Sequence, residues 1–249
     1  MTNDRTRKQT GLRILIATGL MLSAVLTSFM SASAVAATLD FNLSAPTSGT
    51  ISYNGSGGGL IGSNIEVDNV VGLSTTANDN VTSLCLSCVL NFSSGTLTGS
   101  GGPPPSGVNN GWWRFGSGGS ITITGGVQLQ GSSDIPLGST LLTGSFDSAF
   151  VQDLGANFKV TFGSFSDSKH ADLLAYYGLP EGNYQGALTL LFAAPNGGDG
   201  SAFTSTSVFS GNIVNAPVPI DPVPVPGAAL LFGAGLLSLV SVMRQRFSV

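Results

Sequence analysis

The stretch SITITG, residues 120–125, shows the pattern that governs most of this chain. Ile121 and Ile123 alternate with Ser120, Thr122 and Thr124. A period of two puts the isoleucines on one side of an extended strand and the hydroxyls on the other. It cannot build an apolar stripe along a helix. The alternation returns at Phe158, Val160 and Phe162 against Lys159 and Thr161. Further strand-like runs are TLDFNLS (38–44), GTISY (49–53), NIEVDNVV (64–71), CVLNF (88–92), WWRF (112–115) and VQLQ (127–130). STLLTGSF (139–146), NFKVTFGSF (157–165), YQGALTLLFAA (184–194) and FTSTSVFSGNIV (203–214) complete the set. Gly, Asn and Pro clusters separate them, as turns require. These features predict an all-β body, an antiparallel β-sandwich or jelly roll.

Two segments depart from the pattern. GTLTGSGGPPPSGVNNG (95–111) predicts a long loop. SDSKHADLLAYYGLP (166–180) predicts one short surface helix, with Ser166 or Ser168 capping its start and Gly178 and Pro180 ending it.

Both ends carry a different chemistry. Arg5, Arg7, Lys8 and Arg13 precede an uncharged, largely apolar run from Ile14 to Met30, and then come Ala34, Val35 and Ala36. A basic start, an apolar run and small residues in an A-x-A arrangement predict a secretory signal over 1–36, cut by a signal peptidase after Ala36. At the other end, Gly227 to Met243 is seventeen residues without a charge, followed by Arg244 and Arg246. As a helix it is ~26 Å long, near the lower limit for crossing a bilayer. The arginines hold the cytoplasmic side, which leaves the body outside. Pro217, Pro219, Pro222, Pro224 and Pro226 precede the run and predict an extended spacer. The expected organisation is a signal peptide over 1–36 and a β-rich extracytoplasmic domain over 37–215. A Pro-rich spacer with a sorting motif (216–226), a transmembrane helix (227–243) and a basic cytoplasmic tail (244–249) follow.

This arrangement resembles the PEP-CTERM class of exported bacterial proteins, in its VPLPA-type variant. Val223, Pro224, Val225, Pro226 and Gly227 stand in the motif positions, with Val225 where the Pro-Glu-Pro form has glutamate and Gly227 where alanine is usual. The resemblance implies an exosortase-like sorting enzyme as partner, acting near the motif. It implies transient anchoring in the inner membrane of a Gram-negative bacterium. It also implies delivery to the cell surface or to an extracellular matrix containing exopolysaccharide.

Charge narrows the partners further. Charged residues are 9% of the chain, against ~25% in an average domain. Residues 37–226 hold twelve carboxylates against Arg114, Lys159 and Lys169, a net charge of −9. Nucleic-acid binding needs a basic footprint, so no nucleic-acid partner is expected.

Few residues suit catalysis. His170 is the single histidine; it falls on the expected helix, and no G-x-S-x-G elbow accompanies it. Glu66 and Asp68 share a strand face by period two, and Glu181 is a further acid, but nothing marks a glycosidase pair. No catalytic residue, metal set or cofactor is predicted. Asp199 in PNGGDGSAF and the oxygen-rich DNVVGLSTTANDN (68–80) lack the regular spacing of calcium loops. Cys85 and Cys88 form a C-x-x-C pair; export predicts a disulfide, with free thiols as the alternative. Trp112 and Trp113 are adjacent in a strand, so one faces the core and the other faces out or lies at an edge. A flat exposed ring suits a sugar, so both are candidate carbohydrate contacts. The expected function is that of an exported surface or matrix protein, structural or adhesive. The alternatives are a carbohydrate- or calcium-binding matrix module and a secreted hydrolase.

Overall fold

The computed structural model describes residues 36–101, 111–155, 157–195 and 200–218. Ala34, the 102–110 stretch, Asp199, the motif residues Val223 to Gly227, the expected helix 227–243, Arg244 and Arg246 lie outside the described residues. Among the described residues no helix is long and apolar enough to cross a membrane.

The described body is all-β with one helix. Twelve antiparallel strands follow in chain order: β1 (Thr38–Leu43), β2 (Thr50–Tyr53), β3 (Gly59–Leu73), β4 (Thr82–Gly101), β5 (Trp112–Phe115) and β6 (Ser120–Gln128). Then come β7 (Ile135–Phe146), β8 (Ala149–Asp153), β9 (Phe158–Lys169), helix α1 (Ala171–Tyr177), β10 (Tyr184–Ala193), β11 (Phe203–Thr204) and β12 (Ser207–Pro217).

The strands do not fall into two separate sheets. All twelve belong to one hydrogen-bonded sheet, ordered β11-β2-β3-β1-β12-β10-β9-β7-β6-β4-β5-β8. Two extra pairings, β3 with β4 and β9 with β8, join strands far apart in that order. β3, β1, β12, β10, β9, β7, β6 and β4 therefore form a closed circuit of eight strands. Closure removes most free edges, where unpaired N–H and C=O groups invite aggregation.

Long strands make the closure possible by changing partner along their length. β4 pairs with β6 through Leu84–Ser93 and with β5 through Leu97–Gly101. The register shifts at Ser94–Gly95, and a Cβ at Gly95 would stand 2.0 Å from the Ser117 carbonyl oxygen. Only glycine fits that approach. β9 pairs with β8 through Phe158–Phe162 and with β7 through Phe165–Lys169, again across a register shift.

Alternation sorts side chains as the sequence requires. Ile121, Ile123, Phe158, Val160 and Phe162 are buried. Two aromatic groups anchor the interior. In one, Phe146 stacks on Phe162 at 4.1 Å between ring centroids, and Phe92 meets Phe162 edge-on at 4.8 Å. In the other, Trp113, Phe158, Phe192 and Phe203 pack together.

The helix starts later than the serines suggest. Ser166 and Ser168 belong to β9, which continues to Lys169 because β7 pairs with it that far. His170 is the N-cap, its Nδ1 accepting the Asp172 N–H at 3.3 Å. Gly178 closes the helix in the left-handed region at φ 65°. Leu173, Leu174 and Tyr177 turn inward and are buried. The Tyr177 hydroxyl lies 3.0 Å from the Val70 and Val81 carbonyls and from Ser83 Oγ, tying α1 to β3 and β4.

Other boundaries also move. β4 takes in 95–101, the first part of the expected long loop. β12 runs through Pro217, and the Val218 N–H donates to the Asn183 carbonyl, so regular pairing enters the segment read as spacer.

Candidate functional site

Strand β5 divides the tryptophan pair. Trp113 faces inward with no exposed surface, and its Nε1 donates to the Ser201 carbonyl at 3.2 Å. Trp112 faces outward and is half-buried. Sequence alone left open which ring was which, and only Trp112 stands where a ligand can reach.

The register builds a face around it. Gly101, Trp112, Gln152 and Lys159 lie side by side across β4, β5, β8 and β9. Gly99, Arg114, Phe150 and Thr161 form the next outward row. Between them in the chain, Trp113, Val151 and Val160 point inward and are buried. The Trp112 ring stacks on Phe150 with centroids 6.2 Å apart and planes 27° apart. The Arg114 guanidinium carbon is 5.9 Å from the Trp112 centroid, within cation–π reach.

Glycine provides the floor. A Cβ at Gly99 would touch the indole at 3.6 Å, and one at Gly101 would press within 3.0 Å of its Nε1. The ring therefore lies over β4 backbone. The result is a flat aromatic platform with an Arg at its edge and an amide, Gln152, beside it. Such a surface offers apolar area to a sugar ring and polar groups to its hydroxyls.

Phe150, Gly99, Gly101 and Lys159 were not singled out as site residues in the sequence. Phe150 belongs to β8, a five-residue strand, AFVQD, apolar in both phases at its start. Its period-two signal is Phe150 and Gln152 outward against Ala149 and Val151 inward, visible only once the buried phase is known.

The other candidates do not join this face. His170 caps α1, 3.8 Å from Asp172 Oδ2. Glu66 and Asp68 do share the outward side of β3, but each is engaged locally: Glu66 accepts from Ser48 Oγ, and Asp68 accepts the Ser44 N–H. Glu181 lines a hollow of about 370 Å³ with Pro180, Tyr184 and Pro217. Among the described residues no group of three or more His, Cys, Asp or Glu side chains converges as metal ligands would.

Cys85 and Cys88 stand as free thiols in the structure, not as the expected disulfide. β4 bulges between them: Ser87 has φ 53°, and the pairing with β6 shifts register there. Cys88 is buried, and its thiol donates to the Gly126 carbonyl at 3.1 Å, a bond that holds its sulfur against β6. Cys85 is half-buried; contact with Cys88 first, and burial second, push its thiol pKa well above the usual range. A thiol with so little thiolate is a poor nucleophile.

One charged pair is interior. Asp167 and Lys169, both on the inward side of β9, form an ion pair with no exposed side-chain surface. Lys169 Nζ sits 3.9 Å from the centre of the Tyr184 ring. Burial pulls the Lys169 pKa down to about 8 and raises that of Asp167, against the attraction between them.

Searches for related proteins found no family model, no curated protein and no solved structure that matches this chain.

Proposed function

We propose that the body is a non-catalytic, adhesive β module of an exported surface or matrix protein, and that it contacts glycan through the Trp112 face. One observation carries this reading. Of two adjacent tryptophans, Trp113 is committed to the core while Trp112 lies flat on the outside, stacked with Phe150 beside Arg114. A large ring kept at the surface on a glycine floor suits recognition better than folding.

The ends support the rest of the reading. A three-part signal pattern over 1–36 and a Val-Pro-Val-Pro-Gly motif before an apolar run and two arginines suit export and PEP-CTERM-type sorting. Matrix exopolysaccharide is then the partner at hand. The groups that could serve a hydrolase have other work: His170 caps a helix, and Glu66 and Asp68 hold the 44–48 segment.

Binding of the full chain to a panel of immobilised polysaccharides tests the adhesive reading. Trp112→Ala is expected to abolish the binding that the native chain shows. Failure of the folded chain to bind any member of a broad panel overturns it. Intact mass of protein from membrane, surface and medium fractions tests the sorting. A surface species lacking 1–36 and the residues after about Pro226 is expected. A complete C-terminus confined to the inner membrane would sink it.

A further inference from the structure

We infer that the ligand of the Trp112 face is an acidic polysaccharide, one bearing carboxylates along its chain. This rests on the glycan reading above and names the class of glycan.

The argument begins with charge. Residues 37–226 carry only three cations, Arg114, Lys159 and Lys169. Lys169 is consumed inside the circuit by Asp167. The two that remain are exposed, and neither makes an ion pair among the described residues. Both belong to the same outward face. Random placement over twelve strands gives no reason for that coincidence.

Their spacing suits an extended chain. Arg114 is on β5 and Lys159 on β9, with β8 between them. Two strand spacings plus a two-residue step along the strand place their Cα atoms about 12 Å apart. Phe150 and Gln152 lie on the line between them. A sugar over the platform thus has a cation on either side. Neither of the two outward rows contains an acidic residue.

Arg114 suits a carboxylate in particular. A guanidinium can rest on an aromatic face and still present its forked N–H donors in the ring plane to a carboxylate. Lys159 adds a point charge. Asp153 follows Gln152 on β8, but it falls in the inward phase of that strand and accepts the Gly155 N–H; the remaining acids stand outside both rows. They instead repel an acidic chain from the rest of the body, and so confine it to this face.

The test uses the purified full-length chain and three probes. These are polygalacturonate, the same polymer with its carboxylates methyl-esterified, and polyaspartate. Polygalacturonate is expected to bind, and esterification to weaken binding at least about tenfold. Arg114→Gln and Lys159→Gln are each expected to weaken polygalacturonate about tenfold, and to weaken the esterified polymer distinctly less. Both side chains are exposed, so both variants fold. Equal binding of the two galacturonates overturns the inference and leaves the glycan reading standing. Binding of polyaspartate as tightly as polygalacturonate, unchanged by Trp112→Ala, also overturns the inference, since charge alone is then read. No binding to any saccharide by the folded chain overturns both.

Discussion

Trp112 and Trp113 are joined by one peptide bond and face opposite sides of β5, one stacked on Phe150 outside and one against Phe158 and Phe203 inside. The two positions separate function from stability. Trp113→Ala leaves a large cavity among buried rings and is expected to cost about 3–5 kcal/mol. Trp112→Ala loses a half-exposed stack and is expected to cost about 1 kcal/mol. Urea unfolding of both variants measures this, and glycan binding should fall only through Trp112 in chains that remain folded. Equal stability losses would mean that Trp112 is a packing residue.

Helix α1 depends on how its C-terminus meets the loop between β3 and β4. Gly178 sits at φ 65°, and a Cβ there would come within 2.3 Å of Thr76 Oγ1. Thr76 Oγ1 already donates to the Gly178 carbonyl at 2.5 Å, so it has nowhere to go. Gly178→Ala is expected to cost about 2 kcal/mol from the left-handed backbone alone, with the clash in addition. Tyr177→Phe strips a buried hydroxyl from Val70, Val81 and Ser83 and should cost about 1–2 kcal/mol. Thermal unfolding of the two variants checks both; an unchanged midpoint for Gly178→Ala would show that the helix end is not held as described.

The all-β class was readable because period-two alternation is a local signal, and Ile121, Ile123 and Phe158 obey it. The closure of the sheet was not, because it depends on pairings between strands distant in sequence, such as β1 with β12. Strand lengths suffered for the same reason. β4 contains GTLTGSG, which reads as loop until β5 is found beside it. Ser166 and Ser168 read as helix caps because local hydrogen bonding favours them there. Pairing of β9 with β7 overrides that preference, and the inward turn of Asp167 and Lys169 inside a strand has no sequence signature. Half of the candidate site was legible for a similar reason. WWRF announces itself, whereas Phe150, Gly99 and Lys159 become neighbours of Trp112 only through register.

The cysteines differ in access, and that makes their state measurable. Cys88 is 1% exposed, while Cys85 is half-buried with a raised thiol pKa. A maleimide reagent applied to the folded, unreduced chain at neutral pH should label Cys85 slowly and Cys88 not at all. Unfolding in urea without reductant should then release two reactive thiols. Mass spectrometry reads both steps, and a chain that takes up no label when unfolded carries the disulfide instead.

The buried Asp167–Lys169 pair makes stability depend on pH in a direction that can be worked out. Lys169 has its pKa near 8 in the folded chain against an ordinary 10.5. Between those values the unfolded chain holds the proton and the folded chain does not. Stability therefore rises with pH across that window. Asp167 is shifted up from 3.8, so just above that value the folded chain holds the extra proton, and stability falls as pH leaves the acid range. Tyr184 and Tyr177, raised to about 12, keep their protons in the folded chain above pH 10, where their contribution falls with pH. Cys85 opposes the Lys169 trend, because its raised thiol keeps its proton in the folded chain above 9.0, where the unfolded chain loses it. The clean interval for Lys169, pH 8 to 10, is therefore read in a Cys85→Ala background: urea midpoints should climb there, and stay flat once the Asp167→Leu, Lys169→Met double variant is built into it. At pH 7 that double variant should be more stable than the native chain by about 1–4 kcal/mol, because apolar replacement removes two buried charges. Lys169→Met alone should lose about 3–5 kcal/mol, because it strands Asp167, whose second oxygen already has no hydrogen-bond partner. A double variant less stable than either single one would show that the pair holds β9 in register and is no burden on the fold.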